Sequence, residues 1–369
     1  MPFKKRGATL TAAAAVLAVA LSGCAKNPGA TGTAGSGADP GGVVAVVNTD
    51  SIPQSAFYDE LQAYVPRQGQ PGDPAGKAVL RGMIENDLVE QLAKKENVAP
   101  TDQEIDGFFN GEKAMLDFQT VDGFDKQLQQ AGVTADQVKD QQLRPALARL
   151  KLLTKNIAIT DKDIQDYYDK NKTRYSQPQR VHIRKIALAT QMEAQTIAAQ
   201  IKAGKPFDSF LSQSVDPTPN GDVPQWVPLT AGNNAQLQPL VTALKNVAPG
   251  SVSAPLNYGG SWWLVQVVEK KEPATLPLDQ IKDIVRVQIL SEKAQSNFSA
   301  SMDLQQKLRQ FSSTSTITTP LPQYQSVVDL IKNPPPTPSM PQMMAPPPSG
   351  GPRPGPAAPP AGAVKPGKP

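Results

Sequence analysis

The sequence is poor in the side chains that most enzymes use for proton transfer and metal binding. Its 369 residues contain one histidine, His182, and one cysteine, Cys24, and aromatic residues make up 5% of the chain. One cysteine cannot form an internal disulfide, so a disulfide framework is excluded. The sequence offers no other residues that could form a metal site or a nucleophile–base pair together with His182. We therefore predict no metal and no cofactor, and we interpret His182 as an ordinary strand residue.

The distribution of charge excludes nucleic acid as a partner. The formal charge of +4 is carried by the two ends of the chain, at residues 4–6 and at Arg353, Lys365 and Lys368. The residues between these ends are close to neutral and slightly acidic. A protein that binds nucleic acid concentrates positive charge on one face, and this sequence has no such concentration.

The first 23 residues have the layout of a secretory signal, in which basic residues 4–6 precede an apolar run at residues 8–21. The run is shorter than the roughly 20 apolar residues of a transmembrane helix. It ends in LSGC, which resembles the bacterial lipobox and places the cysteine at the acylation position. We predict cleavage before Cys24, a diacylglycerol on Cys24, and anchoring at the outer face of the cytoplasmic membrane, in the cell envelope. A plain signal peptide followed by an incidental cysteine is the alternative.

Two segments have compositions that do not support a packed core. Residues 25–42 are rich in glycine and alanine, which is typical of a flexible tether. At the other end, 15 of the 37 residues from 333 to 369 are proline. Such a segment cannot bury enough apolar surface to fold. It is either a spacer that contacts the cell wall or a solvated tail with no specific partner.

After the tether, the pattern is one short strand followed by helices. The VVAVV stretch is rich in β-branched residues, and a helix is expected after Pro53. Apolar residues recur at every fourth position on one face of the next helix: Leu80, Ile84, Leu88 and Leu92. Thr101, Thr134 and Thr160 each precede an acidic or amide residue by three positions, so each can cap a helix. Pro145 is expected to kink or break the helix that follows Thr134.

From residue 180 the pattern changes to a mixture of strands and helices. VHIRKIAL predicts a strand, and three short helices follow it before Pro249 and Gly250 close the last one. A hairpin completes the segment, with its turn at residues 258–260. The order of strand, helices, strand and strand predicts a small α+β domain.

Two parts of the chain resemble domains of extracytoplasmic foldases. The element order of the α+β segment, the SVDP stretch at residues 214–217 and the NGDVPQW stretch at residues 220–226 are similar to the parvulin-type (PpiC-type) peptidyl-prolyl isomerase domain. The preceding region, with its VVAVVN, TDQEID and TDKDIQDYYDKNKTRY stretches, resembles the N-terminal chaperone region of SurA- and PrsA-type foldases. The resemblance implies an α+β fold in which a discontinuous, mainly helical chaperone domain contains an inserted parvulin-like domain.

The resemblance also implies domain boundaries. The predicted segments are a lipoprotein signal peptide at 1–23, a lipidated cysteine and flexible tether at 24–42, a SurA-like helical chaperone region at 43–176, a parvulin-like domain at 177–271, a C-terminal helix and segment that pack on the chaperone region at 272–332, and a disordered proline-rich tail at 333–369.

Parvulins carry two histidines that face each other across the prolyl pocket, and the resemblance assigns their positions to residues 185 and 263. The acidic residue of the family's SxDP motif corresponds to residue 216. The predicted catalytic positions are therefore Lys185, Asp216 and Trp263. The predicted substrate-binding residues, which would form an apolar wall for the proline ring, are Trp226, Leu237 and Leu240. A prolyl isomerase acts by binding the twisted amide best, so replacing both imidazoles predicts weak or absent isomerase activity.

We predict a membrane-anchored extracytoplasmic chaperone or foldase that binds unfolded or proline-containing secreted and envelope proteins. Its parvulin-like domain is expected to have weak or no isomerase activity. One alternative is an active peptidyl-prolyl cis-trans isomerase with an altered pocket. A second alternative is a structural envelope protein that contacts cell-wall polymer through its proline-rich tail.

Overall fold

The computed structural model describes residues 42–64, 75–232 and 234–334. The predicted signal peptide, the lipidation site Cys24, the tether up to residue 41 and the tail from residue 335 lie outside the described residues, and those predictions stay predictions. Within the described ranges, none of the helices combines the length and the apolar character that crossing a bilayer requires.

The described residues form α-helices, shorter helical turns and β-strands in mixed order, and the predicted α+β class is confirmed. The strands are β1 (Val43–Val47), β2 (Asp50–Pro53), β3 (Ser176–Gln177), β4 (Arg180–Leu188), β5 (Val227–Pro228), β6 (Leu256–Tyr258), β7 (Ser261–Lys271), β8 (Ala274–Thr275) and β9 (Ile317–Thr318). The α-helices are α1 (Gln54–Ala63), α2 (Ala75–Lys95), α3 (Asp102–Gln119), α4 (Gly123–Ala131), α5 (Ala135–Gln137), α6 (Arg144–Leu153), α7 (Asp161–Lys170), α8 (Gln191–Lys202), α9 (Gln238–Leu244), α10 (Leu278–Gln295), α11 (Phe298–Thr314) and α12 (Gln325–Lys332).

The mainly helical part is built from both ends of the described chain. Strand β1 pairs antiparallel with β2 on one side and with β9 on the other, so that Val46 lies opposite Thr318. Helix α10 packs against α3 and α7, and its Ile284 shares a buried core with Phe108 and Ile164. The C-terminal segment therefore returns to the N-terminal helices, as the resemblance implies. The domain boundaries themselves stay predictions.

The predicted helix caps are confirmed. Thr101, Thr134 and Thr160 each accept a hydrogen bond from the backbone N–H three residues further on, and each donates its own N–H to the side chain of that residue. Pro145 lies in the first turn of α6, directly after a π-helical turn at Val138–Leu143. The helix changes its winding there because proline lacks the N–H that an uninterrupted helix would use.

The segment between the two helical parts folds around a four-stranded sheet in the order β5-β4-β7-β6. Strands β4 and β7 pair antiparallel, with Lys185 opposite Val265 and Ala187 opposite Trp263. The predicted hairpin is confirmed, and the positive φ angles of its turn suit the two glycines at residues 259–260. One face of the sheet packs on α9, and the other packs on α8 and on a 3₁₀ segment, Phe207–Gln213.

Candidate functional site

Strand β4 presents alternate side chains to the two faces of this sheet. Val181 and Ile183 pack in the core that contains α9, whereas Ile186 packs in the core that contains α8. Side chains alternate along a strand, so Lys185 belongs to the α9 face and His182 to the α8 face. The lone histidine and the predicted catalytic lysine therefore lie on opposite faces of the sheet.

Lys185 and Asp216 form an ion pair on the α9 face. Lys185 Nζ lies 2.6 Å from Asp216 Oδ2, and the two side chains are 13% and 28% exposed. The backbone N–H of Thr218 donates to Asp216 Oδ1 at 2.9 Å, and the Thr218 hydroxyl also donates to that atom. The hydrogen bonds from Lys185 and Thr218 lower the pKa of Asp216 to about 2. At neutral pH the carboxylate is therefore ionised and holds the ammonium group in place.

The ring of Trp263 lies next to the same ammonium group. Lys185 Nζ is 4.3 Å from the ring centroid, within the range of a cation–π interaction. Trp263 Nε1 donates to Ser261 Oγ at 2.9 Å, and the ring contacts Tyr258 with centroids 4.8 Å apart. The structure thus brings together the three predicted catalytic positions, Lys185, Asp216 and Trp263. Their role in catalysis or binding stays a prediction.

The three predicted substrate-binding residues do not form one wall beside this cluster. Leu240 is 3% exposed and packs inside the core on the α9 face. Trp226 and Leu237 instead line a cavity of about 400 Å³, and the Trp226 ring contacts Arg180 on the other face of β4. The physical reason is the pairing of β5 with β4. Val227 packs in the core with α9, and its neighbour Trp226 therefore points to the opposite side.

The loop at residues 220–222 is fixed against β4. Gly221 has a φ of 66°, and a Cβ at this position would lie 2.2 Å from the carbonyl oxygen of Lys185. Only glycine combines this conformation with so close an approach. On the same loop, Asp222 Oδ1 lies 2.7 Å from His182 Nε2. The lone histidine therefore contacts a loop carboxylate and contributes to the position of the loop.

Sequence reasoning missed Arg180, the first residue of β4. Arg180 is 3% exposed, and its guanidinium carbon lies 4.9 Å from the ring centroid of Phe118 and 5.3 Å from that of Trp226. Its Nη2 donates to the carbonyl oxygen of Phe118 at 2.6 Å. Phe118 lies in α3, far away in sequence, so no local pattern indicates this contact. The one available signal is an arginine at the start of a strand in which Val181 and Ile183 alternate with polar residues.

Carboxyl groups of the helical part also have shifted pKa values. Burial, together with nearby acidic groups, raises the pKa of Asp87 to about 6 and that of Glu90 to about 7. Burial alone raises the pKa of Glu112 to about 7. Across the described ranges, no three histidine, cysteine, aspartate or glutamate side chains are grouped so that they could hold a metal ion.

Matches to known protein families and to related proteins cover most of the chain. Residues 3–157 match the family described as the SurA-like N-terminal domain, and residues 159–283 match the PPIC-type PPIase domain. The chain is 28% identical over 255 residues to the foldase protein PrsA of Clostridium kluyveri, a match that covers 65% of this chain and 72% of that protein. It is 24% identical over 255 residues to the putative peptidyl-prolyl cis-trans isomerase YacD of Bacillus subtilis, covering 68% of this chain and 78% of that protein.

Two solved structures are also similar to the chain. One belongs to a pair of structurally related SurA-like chaperones of Campylobacter jejuni, with a TM-score of 0.33, 21% identity, and coverage of 72% of this chain and 98% of that chain. The other is PrsA from Bacillus subtilis, with a TM-score of 0.25, 17% identity, and coverage of 79% of this chain and 99% of that chain.

Proposed function

Because this chain combines a SurA-like N-terminal domain with a PPIC-type peptidyl-prolyl isomerase domain, we propose that it is an extracytoplasmic foldase for unfolded secreted or envelope proteins. Its relatives include proteins named as a foldase and as a putative prolyl isomerase. Helix α11 offers apolar surface for such clients, since Phe298 and Met302 are 67% and 47% exposed. These side chains stand one helical turn apart and form an exposed apolar pair. Apolar surface captures unfolded chains without requiring a particular sequence.

We further propose that the parvulin-like domain has weak or no isomerase activity. The observation that carries this proposal is the ion pair between Lys185 and Asp216 next to the Trp263 ring. A prolyl isomerase must bind the twisted amide in a site that excludes water. A proline ring that entered this site would have to displace a charge-assisted bond between two partly buried partners. We expect the domain to hold proline-containing segments without accelerating their isomerisation.

A protease-coupled assay of prolyl turnover tests the isomerase proposal. Uncatalysed isomerisation takes tens to hundreds of seconds, and we expect the protein to change that rate by less than about twofold. The double variant Lys185→His/Trp263→His restores the side chains of the family and should increase turnover, whereas Lys202→His, at an exposed lysine of α8, should not. Clear turnover by the unchanged protein that Lys185→Met abolishes would establish the alternative, an active isomerase with an altered pocket.

Light scattering of a chemically denatured client, diluted into buffer with the purified protein, tests the foldase proposal. We expect near-stoichiometric amounts of protein to suppress aggregation, both for the full chain and for a variant that lacks residues 335–369. The second alternative, a structural envelope protein, predicts two different results. The protein would not suppress aggregation, and the deletion of residues 335–369 would release it from isolated cell walls.

We propose that the protein is held at the outer face of the cytoplasmic membrane by a diacylglycerol on Cys24. The proposal is supported by the LSGC sequence and by the position of the only cysteine in the chain. Mass spectrometry of the N-terminal peptide from membranes should find the diacylated cysteine as the first residue. An unmodified Cys24, or a retained signal peptide, would contradict the proposal.

A further inference from the structure

The buried guanidinium group of Arg180 has hydrogen-bond donors that the protein does not use. Nη2 donates to the carbonyl oxygen of Phe118, but Nε and Nη1 have no acceptor within the described part of the chain. The indole Nε1 of Trp226, whose ring contacts the guanidinium, also lacks an acceptor there. Buried donors normally find a partner, because an unmade hydrogen bond costs the desolvation of the group. Three such donors in two contacting side chains therefore indicate an acceptor that is not among the described residues.

Arg180 lines two cavities. One, of about 660 Å³, is also lined by Phe118, Lys113 and Gln280. The other, of about 400 Å³, is also lined by Trp226 and Leu237. The two aromatic rings that cover the guanidinium thus each belong to a different cavity, and a ligand in either one lies next to Arg180.

Among the residues that the structure describes, no carboxylate forms an ion pair with Arg180, and the nearby acidic groups have other partners. Asp117 Oδ1 accepts the backbone N–H of Phe124 at 2.6 Å, and Glu272 accepts the side-chain amide of Gln179 at 2.8 Å and 2.9 Å. Burial lowers the pKa of Arg180, an effect that the negative charge of Glu269 opposes. On the far side, Lys271 Nζ lies 4.5 Å from the Trp226 ring centroid and adds a second positive charge.

We propose that Arg180 and Trp226 form a binding site for a carboxylate group of a client polypeptide. A carboxylate matches the planar fork of donors on a guanidinium and accepts two hydrogen bonds at once. A carboxylate in the cavity that Trp226 lines can also accept a hydrogen bond from its Nε1. The inference rests on the proposed function, since the ligand belongs to a client. The carboxylate comes either from the chain terminus or from an aspartate or glutamate side chain.

Fluorescence anisotropy with three labelled peptides of one apolar sequence tests the site. The first peptide has a free C-terminal carboxylate, the second is amidated and has no acidic residue, and the third is amidated with one internal glutamate. We expect at least one of the two acidic peptides to bind about tenfold more tightly than the neutral one, and the stronger of the two identifies the source of the carboxylate. Arg180→Met should abolish this preference. Arg184→Met is the matched control, since Arg184 lies on the same strand and is already paired with Asp208 at 2.6 Å.

Arg180→Lys supplies a second variant in case Arg180→Met does not fold. It keeps the charge but not the fork, so we expect the preference for the acidic peptide to fall several-fold while the thermal transition is retained. Equal binding of all three peptides by the unchanged protein would overturn the inference, as would an unchanged preference in Arg180→Lys. The aggregation assay, run on the same preparations, reports on the foldase proposal separately. Suppression of aggregation without carboxylate preference refutes the site and leaves the foldase proposal standing.

Discussion

On the α9 face of strand β4, the cation Lys185 ends 2.6 Å from a carboxylate, whereas on the α8 face the cation Arg180 keeps two N–H groups without an acceptor among the described residues. Both cations lie close to aromatic rings. The face to which the family resemblance assigns the prolyl pocket thus has its cation paired within the protein. The α8 face, to which the family resemblance assigns no catalytic position, has unpaired N–H donors on Arg180 among the described residues. This difference teaches that a motif's position does not reveal which buried donors keep unmade hydrogen bonds, and we propose binding where such donors remain.

Gly221→Ala is expected to have the largest effect, because it disrupts the loop that is fixed against the backbone of β4. The new Cβ would lie 2.2 Å from a backbone oxygen, and neither group can move away easily. We expect a loss of about 2–4 kcal/mol in the free energy of unfolding, measured by urea titration. Gly250→Ala is the control, since Gly250 also has a positive φ but nothing within 4 Å of the added Cβ. It should cost about 1 kcal/mol, and equal losses in both variants would refute the steric explanation.

Asp216→Asn removes the partner of Lys185 and makes the two faces alike. The folded-state pKa of Asp216 is about 2, below its usual value of 3.8. Its contribution to stability is therefore present above pH 4 and is lost as the pH falls towards 2. We expect the variant to be about 1–2 kcal/mol less stable at pH 7 and to lose this part of the acid dependence. Adding Lys185→Met should recover stability, and a double variant no more stable than Asp216→Asn would contradict the buried-charge explanation.

Glu112→Gln tests whether ionisation of a buried carboxyl group destabilises the protein. Burial raises the pKa of Glu112 from 4.5 to about 7, so the stability of the protein should fall as the pH rises between these values. We expect the variant to be roughly 1–2 kcal/mol more stable than the unchanged protein at pH 8 and equally stable at pH 4. Thermal melting at both pH values measures this, with the exposed residue Glu85 changed to glutamine as the control. A gain that is the same at both pH values would contradict the assignment.

Phe298→Ser/Met302→Ser is expected to have the smallest effect on stability, since both side chains are exposed. The melting temperature should change by less than about 2 °C. Suppression of client aggregation should fall to about half or less, because apolar capture area is lost. Met192→Ser, at a side chain that is 75% exposed on α8, is the control. An unchanged chaperone effect would assign client capture to another surface, such as the cavities beside β4.

Local chemistry made much of the fold predictable from the sequence. The caps at Thr101, Thr134 and Thr160 and the glycine turn before β7 each depend on hydrogen bonds or φ angles within a few residues. The positions of Lys185 and Trp263, by contrast, came from the family resemblance, since no pattern of residues in the chain pairs them.

The parts of the site that the sequence did not reveal depend on long-range pairing. Trp226 points away from Leu240 because β5 joins the edge of β4 in a particular register, and register is set by the whole sheet. Arg180 is buried because α3 of the helical part brings Phe118 over it. A contact between two domains leaves no periodic pattern in either of them.

The pairing of β1 with β9 has a consequence for how a new copy of the protein matures. Residue 46 finds its partner only when residue 318 has been made, whereas all strands of the central four-stranded sheet lie between residues 180 and 271. Because the chain is synthesised from its N-terminus onward, the small domain can finish folding while the helical part still lacks an edge strand and its last helices. Contacts this distant in sequence form slowly. Each nascent copy therefore spends an interval as an incompletely folded polypeptide, the kind of molecule that its mature form is proposed to assist.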